Sequence, residues 1–455
     1  MSKVIELLQT RLSKDAVLLG DDVTARTTSY WDSSPNQAMA IVRPESTEQV
    51  SDVLKICYQH KQSVVFAGGL TGLVEGAVAT HRDIILSLER MNQIEVVDEL
   101  DNTVVVQAGA VLQHVQETLA EQGFLFPVDL GARGSCTIGG NIATNAGGVN
   151  VLRYGMMRNQ VLGLEAVLAD GTVISSMNQM LKNNTGYDLK QLFIGSEGTL
   201  GVVTRAVLRL YPMPTNQQTA LIAVNSFAAV TTLLQVMHSE LAGTLSVYEV
   251  MWNNYYRDVT AEGFHRAPLD RDHPYYVLVQ AEGVDKDADA ERFERVLAAA
   301  LEEGSIRDAV VAKSEAERQA LWVIREEFDA LLPAYHYDVS MPKRHMEDFV
   351  NKLKQQLSAW RDETVAYVFG HVADGNLHVF VTPFDDDVYH DEVDEIVYGC
   401  LEGLSGSVSA EHGIGKQKTN WLANSRTQNE INLMRQLKAM IDPQNILNPG
   451  VVFGG

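Results

Sequence analysis

The interpretation of the first half of the chain depends on the glycine-rich stretch Gly131-Ala-Arg-Gly-Ser-Cys-Thr-Ile-Gly-Gly-Asn-Ile-Ala-Thr-Asn-Ala-Gly-Gly148. It has too much glycine to favour a stable helix and too few apolar side chains for an ordinary core strand. Glycine lets the main chain approach a ligand closely, and the interleaved serine, threonine and asparagine side chains offer hydrogen-bonding groups of little bulk. The stretch therefore predicts backbone that lies against a large, flat cofactor with a phosphate tail. The alternative is a glycine-rich connecting loop.

Size and composition narrow the class of protein. The chain has 455 residues, of which 45% are hydrophobic and 21% are charged, as expected for a globular protein of two domains. Its formal net charge of -23 argues against nucleic acid or an anionic membrane as a partner. Three widely spaced cysteines, Cys57, Cys136 and Cys400, favour a reducing compartment. With no secretory signal pattern and no long apolar run, we expect a cytoplasmic protein without a transmembrane segment.

A second glycine-rich turn follows a predicted strand. Val64-Val-Phe-Ala leads directly into Gly68-Gly-Leu-Thr-Gly-Leu73, whose successive backbone N–H groups can form an anion-binding nest suited to a pyrophosphate. The turn matches neither the dinucleotide fingerprint nor the P-loop. A third glycine-rich passage is Gly195-Ser-Glu-Gly-Thr-Leu-Gly201. Helical and strand-like segments alternate around these passages, which indicates an α+β domain over residues 1–213.

The composition changes after residue 213. Strand-like segments at 220–224, 244–250, 275–281 and 308–312 enclose helical segments at 227–241 and 286–303, an order typical of a ferredoxin-like α+β cap. A helix over 321–332 that carries Arg325, a strand closed by Pro342 and a helix over 346–360 are predicted next. We assign residues 214–425 to this cap domain. Residues 426–455 are expected to return to the first domain.

Two histidines lie in the hairpin-like stretch Val365-Ala-Tyr-Val-Phe-Gly-His-Val-Ala-Asp-Gly-Asn-Leu-His-Val-Phe-Val-Thr382. Asp374-Gly375 is the signature of a two-residue type I′ turn, which would set His371 directly opposite His378. Side chains in such a pair have Cβ atoms about 5 Å apart, so both imidazoles could bind one ion. Glu411, beside His412, offers a third ligand, and a His2Glu set with open positions is a catalytic arrangement. The alternative is a pair of hairpin histidines satisfied by hydrogen bonds.

The three glycine-rich passages together resemble the FAD-binding domain of the vanillyl-alcohol oxidase and p-cresol methylhydroxylase superfamily. The resemblance implies a two-part FAD-binding domain of the vanillyl-alcohol oxidase type, with the pyrophosphate on residues 68–73 and the isoalloxazine flanked by 134–148 and 197–203. Covalent attachment in the family needs a histidine in the first loop, and none lies between His60 and His81, so the implied FAD is non-covalent. The implied cofactor-binding residues are Gly68, Gly69, Leu70, Thr71, Gly72, Leu73, Pro127, Gly134, Ser135, Thr137, Gly139, Gly140, Asn141, Thr144, Asn145, Gly147, Gly148, Glu197, Gly201, Val203 and Asn448.

The hairpin and the Glu411-His412-Gly413 turn resemble the FAD-dependent D-2-hydroxyacid dehydrogenases, the D-lactate and D-2-hydroxyglutarate group of that superfamily. The resemblance implies that His371, His378 and Glu411 bind a divalent metal and that His412 is the catalytic base. Zinc suits these ligands, and manganese, cobalt or iron could occupy the site. Arg325 matches the family's substrate-carboxylate arginine. Judged without the resemblance, it could equally be an exposed helix arginine paired with an acidic side chain.

Two positions depart from the hydroxyglutarate enzymes, in which a lysine stands where this chain has His336 and an asparagine where it has Phe380. Both positions are implied to contact the substrate. The loss of an ammonium and an amide weakens the case for a dicarboxylate. It leaves room for D-lactate or for a 2-hydroxy acid with an apolar tail.

The expected function is therefore oxidation of a small D-2-hydroxy acid to the 2-oxo acid, with hydride transfer to flavin N5. The expected electron acceptor is an electron-transfer flavoprotein or a quinone, and the oligomeric state, including a homodimer, is left open. Three rival functions remain: a transferase related to alkyl-dihydroxyacetone-phosphate synthase, an accessory flavin-binding subunit of a glycolate oxidase-like complex, and a metal-independent aryl-alcohol oxidase.

Overall fold

Helices and strands alternate along the whole computed structural model, which describes residues 2–241, 243–384 and 388–454. The helices are α1 Lys3–Arg11, α2 Asp21–Thr24, α3 Thr47–Gln59, α4 Leu112–Ala120, α5 Ile138–Thr144, α6 Val151–Tyr154, α7 Met157–Gln160, α8 Lys190–Phe193, α9 Phe227–Glu240, α10 Asn253–Val259, α11 Lys286–Glu302, α12 Glu315–Glu326, α13 Met346–Trp360, α14 His390–Gly399 and α15 Gln428–Ile441. The strands are β1 Val17–Leu18, β2 Ala40–Val42, β3 Val64–Ala67, β4 Ile84–Ser87, β5 Ile94–Asp98, β6 Thr103–Gln107, β7 Phe124–Leu125, β8 Val161–Val167, β9 Val173–Ser176, β10 Val202–Arg209, β11 Tyr211–Pro212, β12 Asn216–Val224, β13 Leu245–Trp252, β14 Tyr275–Gly283, β15 Asp308–Val311, β16 Tyr335–Ser340, β17 Val365–Gly370 and β18 Asn376–Thr382.

The first of two units comprises Met1–Gly148, Gly155–Met213 and Glu411–Gly455. Its described residues form three sheets: a four-stranded one in the order β1-β2-β4-β3, an antiparallel five-stranded one in the order β5-β6-β10-β8-β9, and a two-stranded one of β7 and β11. This arrangement confirms the predicted two-part α+β domain. In the part of the chain that the structure describes, no helix is both long and apolar enough to cross a bilayer.

The central glycine-rich stretch contains a helix, so the prediction that it could not be helical was wrong. Thr137 accepts a hydrogen bond from the amide of Gly140 and caps α5, whose Ile138 and Ile142 are buried. At Gly139 a Cβ atom would lie 2.7 Å from the Cβ of Ala108. Glycine is needed here because the helix packs closely against neighbouring backbone, and this packing offsets its poor helix propensity.

The second unit comprises Val149–Tyr154 and Pro214–Ala410 and contains a seven-stranded sheet in the order β15-β12-β14-β13-β17-β18-β16. Its first four strands are antiparallel neighbours and follow the ferredoxin-like order, with α9 and α11 packed on them. The predicted cap topology is therefore confirmed. β17, β18 and β16 extend this sheet and carry the histidine hairpin.

The boundaries differ from those expected for the cap, because residues 411–425 belong to the first unit and residues 149–154 to the second. The carboxylate of Glu197 accepts hydrogen bonds from the amides of Ile414 and Gly415 at 2.8 and 2.7 Å, which ties the turn after Ala410 to the first unit. Arg153 donates to the carbonyl oxygen of Glu282 in the second unit. These long-range contacts carry no local sequence signal.

The C-terminal segment lies against the first unit. Leu447 forms a bridge with Val64, and the amide of Phe66 donates to Oδ1 of Asn448 at 2.9 Å. The buried ammonium of Lys438 donates to Asp442 and to the carbonyl oxygens of Thr199 and Leu447. A hydrogen-bonded network therefore holds this end of the chain in place.

The helix that carries Arg325 begins and ends earlier than the predicted range of 321–332. Ser314 accepts a hydrogen bond from the amide of Glu317 and caps α12, which ends at Glu326. A short 3-10 helix, Asp329–Leu331, replaces the expected last turn. The residue before a proline disfavours the α conformation, and Pro333 therefore helps to end the helical region.

Candidate active site

The histidine hairpin has a different register from the predicted one. Phe369, rather than His371, is the partner of His378 in the β17–β18 ladder. Residues 371–375 form a longer turn in which the carbonyl oxygen of His371 accepts hydrogen bonds from the amides of residues 374, 375 and 376. Gly370 leaves the strand with φ of +142°, and Val372 is fully buried inside the turn. With a two-residue turn, Val372 would be paired in the β17–β18 ladder. In the observed turn its side chain is fully buried, and we infer that this burial favours the observed register.

The two histidine rings nevertheless lie side by side. Their ring centroids are 5.2 Å apart, with an interplanar angle of 78°. His378 projects from β18, and His371 is the first residue of the turn that leads back to it. The expected proximity is therefore confirmed, although the direct cross-strand pairing was wrong.

A buried glutamate in β13 connects one of these histidines to Arg325. One carboxylate oxygen of Glu249 pairs with Nδ1 of His371, and the other accepts a hydrogen bond from Nε of Arg325 at 2.6 Å. Burial by itself would raise the pKa of Glu249, but the charges of His371 and Arg325 and their hydrogen bonds lower it to about 2. Glu249 is therefore ionised at neutral pH.

A second buried carboxylate faces the other histidine. Asp338 in β16 is the sheet partner of His378, and its Oδ1 lies 3.8 Å from Nδ1 of that ring. Its Oδ2 accepts a hydrogen bond from the amide of Ala410 at 3.0 Å. When Nδ1 of a histidine faces a carboxylate, Nε2 is the nitrogen that can bind a metal ion. Both rings of the pair therefore have Nδ1 on the side of a buried carboxylate.

Sequence analysis missed Glu249 and gave Asp338 no role. A usable signal was present, because Glu249 is the one charged residue in Leu245-Ser-Val-Tyr-Glu-Val-Met-Trp252. A charge within such a buried strand needs a partner, since an isolated buried carboxylate is very costly.

The alternative interpretation of Arg325, an exposed helix arginine paired with an acidic side chain, was wrong about the exposure and right about the acidic partner. Its side chain is 6% exposed, lies in the last turn of α12, and has its guanidinium carbon 4.7 Å from the ring centroid of Phe369. Glu249 accepts from Nε, and among the described residues no hydrogen bond uses Nη1 or Nη2. The outer edge of the guanidinium can therefore bind a carboxylate in bidentate fashion.

The two predicted specificity positions lie opposite each other in the sheet. His336 of β16 pairs with Phe380 of β18, and their rings stack with centroids 4.0 Å apart. Asp338 and His378 are the next residues on the same face, because side chains alternate along a strand. The two specificity positions and His378 therefore share one face of the second unit's sheet.

Glu411 and His412 lie in the first unit. Glu411 directly follows Ala410, and its Oε1 accepts a hydrogen bond from the amide of Gly148 at 2.8 Å. His412 is half-buried in the turn that Glu197 holds through the amides of residues 414 and 415. Burial raises the pKa of Glu197 despite these two amide hydrogen bonds. The roles of Glu411 as a metal ligand and His412 as the base stay predictions.

The glycine-rich passages predicted to bind FAD converge within the first unit. A Cβ at Gly69 would overlap the carbonyl oxygen of Ser135, and one at Gly68 would lie 2.6 Å from Oγ1 of Thr137. The amide of Glu197 donates to the carbonyl oxygen of residue 143, and Asn448 donates to the carbonyl oxygen of Glu197 at 2.7 Å. All three passages and the C-terminal segment are thus brought together.

Backbone conformation at this convergence fits a bound ligand. Leu70, Asn145, Glu197 and Asn448 have φ of 55°, 52°, 51° and 41°, in the left-handed region that non-glycine residues rarely adopt and that is concentrated at functional sites. A Cβ at Gly72 would meet no atom within 4 Å, so the 68–73 turn has an open side for a phosphate group.

Two of the small polar side chains in these passages also support the fold. Thr144 donates to the carbonyl oxygen of Gly140, and Asn145 accepts from the amide of Arg158. Their contacts with the cofactor stay predictions. Of the other predicted residues, Pro127 follows β7, Gly134 and Ser135 precede α5, Asn141 lies in it, Gly147 and Gly148 follow it, Gly201 directly precedes β10, and Val203 lies in β10.

Comparison with known proteins gives two family matches. Residues 38–176 match the FAD binding domain, and residues 213–452 match the C-terminal domain of FAD linked oxidases. The chain is 40% identical over 415 residues to the mitochondrial D-2-hydroxyglutarate dehydrogenase of Bos taurus, covering 90% of this chain and 76% of that protein. It is 38% identical to a D-2-hydroxyglutarate dehydrogenase of Xanthomonas citri pv. viticola (94% and 91% covered) and 38% identical to a putative mitochondrial D-lactate dehydrogenase of Schizosaccharomyces pombe (94% and 84% covered).

Solved structures support the fold. p-Cresol methylhydroxylase with substrate bound superposes with a TM-score of 0.78 at 16% identity, covering 99% of this chain and 96% of that one. Alkyldihydroxyacetonephosphate synthase gives a TM-score of 0.75 at 18% identity, covering 99% and 86%. Likeness at this level of identity concerns the fold alone and lends no support to a transferase. The sequence matches show that the chain belongs to the FAD-linked oxidases, as an oxidoreductase in the D-lactate and D-2-hydroxyglutarate dehydrogenase group, and the solved structures show that it shares the fold of p-cresol methylhydroxylase.

Proposed function

We propose that this protein is a metal-dependent dehydrogenase that oxidises a D-2-hydroxy acid to the 2-oxo acid. The observation that carries the metal dependence is the pair of adjacent imidazoles, His371 and His378, each with Nδ1 facing a buried carboxylate. Metal-binding histidines generally have such a carboxylate partner. The sequence matches to D-2-hydroxyglutarate and D-lactate dehydrogenases support the class of substrate and its D configuration.

His371, His378 and Glu411 would hold the divalent ion, for which zinc is the best candidate and manganese, cobalt or iron are alternatives. Such an ion lowers the pKa of a bound hydroxyl group and orients the substrate. Held non-covalently by the glycine-rich passages, FAD would supply the acceptor for the hydride that leaves C2.

The remaining chemistry belongs to side chains of this protein. The imidazole of His412 takes the hydroxyl proton as the C2 hydride leaves, and the carbonyl group of the 2-oxo acid forms. Arg325 binds a substrate carboxylate with its outer edge while Glu249 fixes the inner edge. The proton and the hydride together account for the two hydrogens lost in the oxidation.

Reoxidation of the flavin needs a second partner. The chain lacks a dinucleotide fingerprint, which favours an electron-transfer flavoprotein or a quinone over a nicotinamide cofactor. This choice rests on the sequence and on the chemistry of the reaction class.

The test is a panel of D- and L-2-hydroxy acids with a dye as acceptor, with and without EDTA. We expect turnover of D substrates that EDTA abolishes and a divalent metal restores. His412→Ala should retain FAD but lose turnover, whereas His238→Ala, at an exposed position of α9, should behave as the unmodified protein.

The rival functions give different results in the same assay. Turnover that survives EDTA would favour a metal-independent aryl-alcohol oxidase, and absence of dye reduction would favour a transferase or an accessory subunit. Near-normal turnover in His412→Ala would refute its assignment as the base.

A further inference from the structure

A cluster of aromatic rings lies beside Arg325 in the second unit. The rings of Phe328 and Phe369 are 5.7 Å apart, those of Phe328 and Phe380 5.6 Å, and those of Phe369 and Phe380 5.3 Å. His336 stacks on Phe380 at 4.0 Å and adds the fourth ring. We call these four residues the aromatic wall.

The aromatic wall adjoins the groups proposed to bind and oxidise the substrate. Phe369 is the sheet partner of His378, with ring centroids 5.3 Å apart, and the guanidinium of Arg325 lies 4.7 Å from the Phe369 centroid. Phe380 lies two residues beyond His378 on the same strand and therefore projects from the same face. A molecule held at Arg325 and the histidine pair would have the aromatic wall as its nearest lateral surface.

Burial shows which edge of the wall is open. Phe369 and Phe380 are 1% and 8% exposed, whereas Phe328 is 40% exposed and His336 is also exposed. Phe328 lies between the end of α12 and the following 3-10 helix, where no regular element determines the direction of its side chain. The two buried rings form the base of the wall, and Phe328 and His336 form its accessible edge.

The chemistry of the wall favours one class of substrate tail. Aromatic rings pack favourably against other rings and against hydrocarbon, in offset or edge-to-face arrangements. A second carboxylate, as in 2-hydroxyglutarate, would need a cation of its own, because burying an unpaired charge is costly. Arg325 is assigned to the first carboxylate, and the wall itself offers the tail three phenyl rings and one stacked imidazole as packing surface.

We propose that this enzyme takes 2-hydroxy acids whose C3 substituent is an aromatic ring or a bulky hydrocarbon, in preference to dicarboxylic 2-hydroxy acids. The tail packs on the accessible edge, Phe328 and His336, while the carboxylate end is held at Arg325 and the metal. The inference rests on the proposed function and specifies its substrate class.

The experiment compares kcat/KM for D-3-phenyllactate, D-lactate and D-2-hydroxyglutarate in the holoenzyme with a dye acceptor. Since a single buried methylene already changes kcat/KM by about 10- to 200-fold, we expect phenyllactate to exceed 2-hydroxyglutarate by at least about tenfold. Dissociation constants of phenylpyruvate and 2-oxoglutarate, measured by calorimetry, should follow the same order and give a readout independent of turnover.

Two variants test the wall itself. Phe328→Ala, at a position that is 40% exposed, should lower the ratio of kcat/KM for phenyllactate over lactate by about tenfold, with circular dichroism confirming that the variant is folded. His336→Lys adds an ammonium at the accessible edge and should shift the preference toward 2-hydroxyglutarate. Phe264→Ala, which removes a phenyl ring that is 49% exposed outside the wall, is the matched control and should leave the ratio unchanged.

The possible failures are distinguishable. If 2-hydroxyglutarate is the better substrate, or if the Phe328→Ala ratio equals that of the Phe264→Ala control, the substrate class is refuted and the proposed function stands. If no D-2-hydroxy acid is oxidised, the proposed function and this inference both fail.

Discussion

Replacing Glu249 with glutamine tests the buried link between Arg325 and His371. The substitution keeps the size of the side chain but removes its negative charge. The amide oxygen can still accept from Nε of Arg325, and the amide nitrogen then faces Nδ1 of His371. A hydrogen-bond donor facing Nδ1 favours the His371 tautomer that carries its proton on Nε2. That proton occupies the nitrogen whose lone pair would bind the metal ion.

Two magnitudes follow from this geometry. Loss of the carboxylate partner of a metal-binding histidine typically lowers metal affinity by about 10- to 100-fold, which corresponds to about 1.4 to 2.7 kcal/mol. The Arg325 and Glu249 side chains are 6% and 1% exposed, so the substitution also leaves a buried guanidinium without its anion. Breaking a buried pair in this way costs roughly 3 to 5 kcal/mol of folding stability.

Both effects can be measured separately. Competition with a chromogenic chelator gives the metal affinity, and calorimetric unfolding of the metal-free protein gives the stability. Glu315→Gln is the matched control, because the Glu315 side chain is 66% exposed in its ion pair with Arg318. Metal affinity and unfolding temperature equal to those of the control would refute the assigned role of Glu249.

Other contacts lead to three shorter predictions. Gly69→Ala would push a methyl group against the carbonyl oxygen of Ser135, so we expect less FAD in the purified variant, measured by the ratio of flavin to protein absorbance; full occupancy would contradict the assignment of the 68–73 turn. Lys438→Met removes a buried ammonium that donates to three acceptors, so the midpoint of thermal unfolding should fall by several degrees. An unchanged midpoint would show that the C-terminal network contributes little to folding stability. Arg325→Lys keeps the charge but loses the guanidinium fork, so KM for the substrate should rise about tenfold, and an unchanged KM would argue against carboxylate binding there.

Much of the fold was accessible from local patterns in the chain. The apolar spacing of residues 227–241 predicted α9, and the strand-like segments after residue 213 predicted the ferredoxin-like order that β12 to β15 adopt. These features are local because capping and hydrophobic periodicity act within a few residues. The motif residues of the candidate site, including the pair His371 and His378, were found for the same reason.

The helix in the glycine-rich stretch shows where local propensity fails. Thr137 caps α5, and its isoleucines reach the core while Gly139 packs against Ala108. Tertiary packing supplied the stability that the composition of the segment lacks.

The sequence by itself determined the strands of the second unit's sheet, the longest helices of that unit and the identity of the histidine pair, because each depends on neighbours along the chain. The tertiary structure decided the register of the hairpin, the partner of Arg325 and the carboxylates behind the two imidazoles. Glu249 meets Arg325 across 76 residues and His371 across 122. Contacts at such separations are fixed by the order of strands in the folded sheet, and no short stretch of sequence encodes them.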